Sequence, residues 1–144
     1  MSEIYDNGVI RLSVPEGWRT FIGSNSDGIE TPKKVLVYKN VNEPLEIFLR
    51  AGITVCYFAK GEFYFSPKMF YDNVKDIDSF VLGNFEWTGY TCTSLGYPYT
   101  MLEARDDGRV FQVMVLMENG DEKISMEDAD VREIIESINE SIKE

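Results

Sequence analysis

The chain contains no histidine, and this absence excludes more chemistry than any other feature of its composition. Histidine is the commonest general base and metal ligand, and it changes charge near neutral pH. Triad hydrolases of the Ser-His-Asp type, histidine-ligated metal sites and simple histidine pH switches are therefore excluded. We expect no metal and no other cofactor. No catalytic residue is assigned, and the chain is not expected to be an enzyme.

Cysteine is scarce, with Cys56 and Cys92 the only two. Both lie within apolar, strand-like sequence, where a free thiol behaves as a small hydrophobic side chain. Without histidine, a cysteine nucleophile would depend on a nearby lysine or arginine to lower its pKa. Two buried free thiols are the preferred interpretation. A disulfide between neighbouring strands is the alternative, which spacing alone does not decide.

Basic residues are few, with 14 Lys and Arg against 25 Asp and Glu and a net charge of −11. A nucleic acid needs a basic surface that displaces its counterions, so we expect no nucleic-acid partner. An anionic membrane surface is disfavoured for the same reason. The sequence also lacks an apolar run long enough to span a bilayer and the basic start of a signal peptide. No membrane insertion and a cytoplasmic location are expected, with export the alternative if a leader was removed.

What is present is the composition of one globular domain over residues 1–144, with 44% hydrophobic and 13% aromatic residues. A chain of this length buries a core without disulfides or metals. The Asp-Gly pair at 107–108 lies between two apolar runs and predicts a tight β-hairpin. Strands are predicted over 9–14, 34–39, 45–49, 53–59, 85–95, 99–105 and 110–117.

Two helices are predicted, over 66–77 and 126–142. Ser66 and Pro67 supply an N-cap and a first helical residue, and Ser-Met-Glu-Asp at 125–128 is a variant capping box. Both segments carry apolar stripes at helical spacing: Phe70, Val74 and Ile77 in the first, and Val131, Ile134, Ile135, Ile138 and Ile142 in the second. Strands that are apolar on both faces need cover on both. The sequence therefore predicts an α+β fold, an α/β/α sandwich around a mostly antiparallel sheet.

Three short motifs give the chain a family resemblance: Val-Pro-Glu-Gly-Trp at 14–18, Gly-Tyr-Pro at 96–98 and Ile-Ile-Glu-Ser-Ile at 134–138. In this order they resemble the PsbP-like superfamily, which includes the photosystem II extrinsic protein, the Ran-binding import factor Mog and many bacterial single-domain proteins. The resemblance implies a single domain that is an α/β/α sandwich around an antiparallel sheet and is used for binding rather than catalysis. One bacterial branch, the Eag chaperones of type VI secretion, is similar in length and acidity and wraps apolar helices of effector proteins.

The best candidate for a functional surface is an aromatic run, because seven of the fifteen residues from 57 to 71 are aromatic. Adjacent aromatic side chains cannot all face one core, and exposed aromatic patches mark partner sites. The alternative is that this segment folds back and caps the sheet. The candidate partner-binding residues are Tyr57, Phe63, Tyr64, Phe65, Tyr71 and Trp87.

The resulting hypothesis is a non-catalytic interaction domain that binds a protein or peptide through an aromatic groove with an acidic surround. Hydrophobic contact would supply the affinity, and the acidic surround would favour basic flanks on the partner. The alternatives are a small-molecule-binding module with an apolar pocket between the sheet and a helix, and a chaperone for an exported effector. The sequence leaves the oligomeric state open.

Overall fold

A computed structural model describes residues 2–141. Within this part of the chain there are twelve strands, one α-helix and two 3₁₀ helices. The α-helix, α1, spans Ala129–Ser137, and the 3₁₀ helices span Pro44–Leu49 and Pro67–Phe70. The strands are β1 (Glu3–Asp6), β2 (Ile10–Val14), β3 (Trp18–Ser24), β4 (Glu30–Lys39), β5 (Gly52–Phe58), β6 (Asp72–Leu82), β7 (Phe85–Ser94), β8 (Tyr97–Asp106), β9 (Arg109–Leu116), β10 (Glu118–Asn119), β11 (Glu122–Lys123) and β12 (Asn139–Glu140).

Seven strands form one antiparallel sheet, the main sheet, in the order β3-β4-β5-β9-β8-β7-β6. The predicted hairpin is confirmed: Asp106 pairs with Arg109 across a two-residue turn. Both turn residues, Asp107 and Gly108, have positive φ, at 49° and 80°. This is the conformation of a type I′ turn, whose twist matches that of the flanking strands.

The main core lies between one face of this sheet and a layer made of α1 and the small sheet β1-β2-β12. The helix contributes Val131, Ile134 and Ile135, which are all buried. Ile10 and Leu12 of β2 are also fully buried, as the alternating pattern of that strand predicts. Burying one such side chain contributes about 1.5–3 kcal/mol relative to leaving it exposed.

The predicted helix over 66–77 is wrong. A single 3₁₀ turn is followed at once by β6, the edge strand of the main sheet. The pairing of β6 with β7 shifts register twice, between Asp72 and Lys75 and between Ile77 and Phe80. Because each irregularity adds residues between inward-facing positions, the period of two is lost. The resulting apolar spacing imitates that of a helix.

The predicted C-terminal helix over 126–142 is also too long, since α1 has nine residues. Before it, the backbone N–H of Ser125 donates to the Asp128 carboxylate at 2.9 Å, which holds 125–128 in a turn. After it, Ile138 is extended and β12 pairs with β2. Ile142 lies outside the described residues. Strand pairing therefore replaces the helix predicted at 139–140.

The α/β/α sandwich is consequently contradicted, because α1 and the small sheet cover only one face of the main sheet. The predicted strand over 45–49 is wrong as well and forms a 3₁₀ helix. Pro44 opens this helix, and reciprocal hydrogen bonds join Glu43 and Glu46. No helix within residues 2–141 combines the length and apolarity needed to cross a membrane.

Candidate functional site

The face of the main sheet opposite α1, here called the open face, is the candidate site. Its side chains alternate along each strand with those of the main core. Tyr90, Cys92 and Met101 form a buried cluster there, with Tyr99 and Met114 packed against it. Tyrosine and methionine suit a surface that is partly wet and partly apolar, since tyrosine has a polar end and methionine adapts its shape.

The strap, defined as residues 59–71, crosses the open face and is held there by Tyr64. The Tyr64 hydroxyl donates to Oε2 of Glu103 at 2.7 Å, and its ring lies 4.8 Å from that of Phe58 between centroids. The Arg105 guanidinium lies 5.2 Å from the Tyr64 ring centroid, and its Nε donates to Oε1 of Glu103 at 2.9 Å. Burial, then the bond to Glu103, raises the pKa of Tyr64, so the hydroxyl remains a donor.

A cavity of about 340 Å³ lies between the strap and the sheet. Lys68 of the strap pairs with Asp76 of β6, and its Nζ lies 5.4 Å from the Tyr90 ring centroid. The cavity thus has charged and aromatic walls. Its other lining side chains include Tyr64, Ser66, Thr88, Met101, Glu103 and Gln112.

A second, more enclosed cavity of about 110 Å³, here called the tyrosine cavity, adjoins the first. One row of paired residues builds its floor, because Gly52 pairs with both Tyr38 and Leu116, and Leu116 also pairs with Tyr99. Met101 lines both cavities, which makes them neighbours on the open face. The full lining of the tyrosine cavity is Tyr38, Thr54, Tyr71, Ser94, Tyr99, Met101, Met114 and Leu116.

The strap presents large apolar side chains to solvent. Phe63 is 85% exposed, Phe65 52%, Met69 72% and Phe70 73%. The rings of Phe65 and Phe70 contact each other, with centroids 6.4 Å apart. Exposed apolar groups concentrated on one segment are characteristic of interaction sites, whereas single ones are ordinary.

The structure brings together four of the six residues predicted for the site: Phe63, Tyr64, Phe65 and Tyr71 all belong to the strap. Tyr57 lies on the other face of the sheet, with its ring centroid 4.9 Å from that of Phe111 and its hydroxyl donating to Glu140. Trp87 is fully buried in the main core. Neither Tyr57 nor Trp87 therefore joins the open face.

Sequence reasoning missed three of the residues that form the floor of the site: Tyr38, Met101 and Met114. The sequence did indicate that both faces of the sheet carry apolar residues, since β5 and β9 are apolar on both faces. A helix was expected to cover the second face. The tyrosine, methionine and threonine residues on that face were the better guide to its exposure, because these side chains tolerate partial contact with water.

The two cysteines lie on the open face without contact. Cys56 is in β5 and Cys92 in β7, with β9 and β8 between them. Three strand spacings amount to about 14 Å, far beyond the Cα separation of a disulfide, and both thiols are free. Burial raises the pKa of Cys56 to about 11, and it also raises that of Cys92. Residues 2–141 contain no cluster of three or more side chains suited to hold a metal.

Comparison with known proteins identifies no family. No protein-family model matches the chain, and no curated protein matches it. Among solved structures the chain is similar to LpqN, which is involved in cell envelope biogenesis of Mycobacterium tuberculosis. The two share 15% identity with a TM-score of 0.37, over 80% of this chain and 76% of that one. The resemblance to the PsbP-like superfamily is not confirmed by these comparisons.

Proposed function

We propose that the open face and the strap bind an apolar segment of a protein partner. The observation that carries this proposal is the combination of four exposed apolar strap residues with a floor of buried and half-buried tyrosine and methionine. Aromatic residues and methionine are enriched at interfaces relative to the rest of a protein surface.

The extent of the apolar surface favours a polypeptide over a small molecule. The open-face cavities measure about 340 and 110 Å³, at or below the lower end for drug-sized ligands. Phe63, Met69 and Phe70 line neither cavity, so a ligand confined to the cavities would leave them in water. A peptide segment lying along the strap would cover them while placing side chains in the cavities.

The charge of the protein adds a preference for basic partners. The net charge of −11 attracts cations at long range and accelerates their association. Because exposed charges are screened by salt, this contribution should weaken as ionic strength rises. The apolar contact should not weaken in the same way.

Selection from a random peptide display library tests this proposal. Wild-type protein should enrich peptides that contain aromatic or aliphatic residues, and synthetic copies should bind in solution. The double variant Phe65→Ser/Phe70→Ser should lose these peptides. A control, Ile4→Ser/Ile29→Ser, removes two apolar residues that are 59% and 62% exposed and line neither open-face cavity. Equal binding by both variants, or no enrichment, would contradict the proposal.

A second candidate function rests on a third cavity, of about 470 Å³, between the other face of the sheet and the segment leading into α1. Ile77, Phe80, Met117 and Met126 give it apolar walls. A cavity of this size and lining could hold a small apolar molecule. A compound screen by thermal shift tests this function, since a ligand that binds only the folded state raises the melting temperature.

A further inference from the structure

We propose that the tyrosine cavity receives the ammonium end of a lysine side chain from the bound segment. This inference rests on the proposed function and specifies the chemistry of the partner. The three tyrosines, Tyr38, Tyr71 and Tyr99, come from two strands and the strap, and Met101 and Met114 complete the apolar wall. Such groups of aromatic rings recognise ammonium ions, because the ring faces carry partial negative charge.

Two other tyrosines on the same face already have cations above them. Arg105 lies over Tyr64 at 5.2 Å from the ring centroid, and Lys68 lies over Tyr90 at 5.4 Å. Within residues 2–141, none of the three rings of the tyrosine cavity has a cation above it or another aromatic ring in contact. The chain therefore supplies cations to the tyrosines of the first cavity and leaves those of the second for a partner.

The size and polar groups of the cavity favour lysine. A volume of about 110 Å³ accommodates roughly four groups the size of water, which matches an ammonium nitrogen and its last three methylenes. The hydroxyl oxygens of Thr54 and Ser94 can accept hydrogen bonds from the ammonium. No carboxylate lines the cavity, so the bidentate pairing that distinguishes arginine is not offered.

Titration with tetramethylammonium and with tert-butanol, a neutral molecule of similar shape, tests the inference on wild-type protein. The readout is NMR of protein carrying ¹³C-methyl methionine, in which Met101 and Met114 report on the cavity. Tetramethylammonium should shift both signals saturably, and tert-butanol should bind about tenfold more weakly, because it lacks the charge. Equal affinities, or no shift of either signal, would overturn the inference.

Variants of Tyr99 separate the ring from its hydroxyl. Tyr99→Leu should abolish the response to tetramethylammonium, and Tyr99→Phe should retain it. Tyr97→Leu is the matched control, since Tyr97 lies on the same strand but outside the cavity. Equal loss in the Phe and Leu variants would show that the ring face is not what binds. If Tyr99→Leu fails to fold, the comparison of the two probes on wild-type protein still decides.

The outcome also separates this inference from the proposed function. If display-selected peptides bind the open face but tetramethylammonium does not, the ammonium site is wrong and the proposed function stands. If tetramethylammonium binds the cavity but no peptide does, the proposed function is wrong.

Discussion

Replacing Gly52 with alanine should destabilise the protein by crowding Tyr38 on the open face. A Cβ atom at Gly52 would lie 2.5 Å from both Cγ and Cδ2 of Tyr38 and 2.7 Å from its Cδ1. These nearly equal distances mean that the Tyr38 ring lies flat against the backbone of β5. Tyr38 is 9% exposed, and it borders the tyrosine cavity.

The magnitude follows from two opposing effects. Ordinary contact needs about 1 Å more separation, and overpacking of this kind costs about 1–3 kcal/mol. Alanine restricts the unfolded chain relative to glycine, which offsets about 0.5–1 kcal/mol. Taking the middle of both ranges, we expect Gly52→Ala to lower the free energy of unfolding by about 1 kcal/mol. Urea denaturation should show a lower midpoint at an unchanged m value.

Gly23→Ala is the matched control, because it also introduces a Cβ atom into a strand of the main sheet. There the new atom would meet the Lys34 side chain, with Cγ at 2.4 Å and Cβ and Cδ at 2.8 Å. Rotation of that side chain can move Cγ and Cδ but not Cβ, so the cost should be smaller than that of Gly52→Ala without reaching zero. A neutral or stabilising Gly52→Ala would refute the placement of the Tyr38 ring. The tyrosine cavity would then lack Tyr38 as one of its walls.

Three further outcomes test other parts of the structure. Burial raises the pKa of Tyr90 to about 12, so the folded state keeps a proton that the unfolded state releases above about pH 10. Stability should therefore fall as pH rises from about 10 to 12. Over this pH range the urea midpoint of Tyr90→Phe should fall less steeply than that of wild-type protein, and an equally steep fall would contradict the prediction. Tyr64→Phe removes the hydrogen bond to Glu103, which should weaken the attachment of the strap to the open face by about 1–2 kcal/mol. Amide hydrogen exchange over 59–71 should then be faster, and unchanged exchange would show that another contact holds the strap. Under mild oxidation, mass spectrometry should find Cys56 and Cys92 unlinked to each other, and an intramolecular disulfide would contradict the strand order.

Local signals in the sequence predicted the parts of the fold that local interactions determine. The β8–β9 hairpin was predictable, because Asp107-Gly108 favours one turn type regardless of the rest of the chain. The segment 72–82 was not, because its periodicity is set by irregular pairing with β7 rather than by its own conformation. The end of α1 was missed for a related reason, since 139–140 pair with a strand from the other end of the chain.

The candidate site likewise has one part that could be predicted from the sequence and one part that could not. The strap was predictable as an aromatic segment from its composition alone. The tyrosine cavity was not, because Tyr38 and Tyr99 meet only through the pairing of four strands in one row. Trp87 shows the opposite error. It was predicted to belong to the aromatic surface, but it lies in the main core, because its side chain on β7 faces α1 rather than the open face.

Methionine methyl NMR with a display-selected peptide tests the central claim most directly, because the described methionines report separately on the two sides of the sheet. Met69 lies on the strap, Met101 and Met114 line the open-face cavities, and Met117 and Met126 line the cavity near α1. Binding to the open face predicts shifts at Met69, Met101 and Met114. Shifts confined to Met117 and Met126 would contradict it and place the binding site beneath the helix layer.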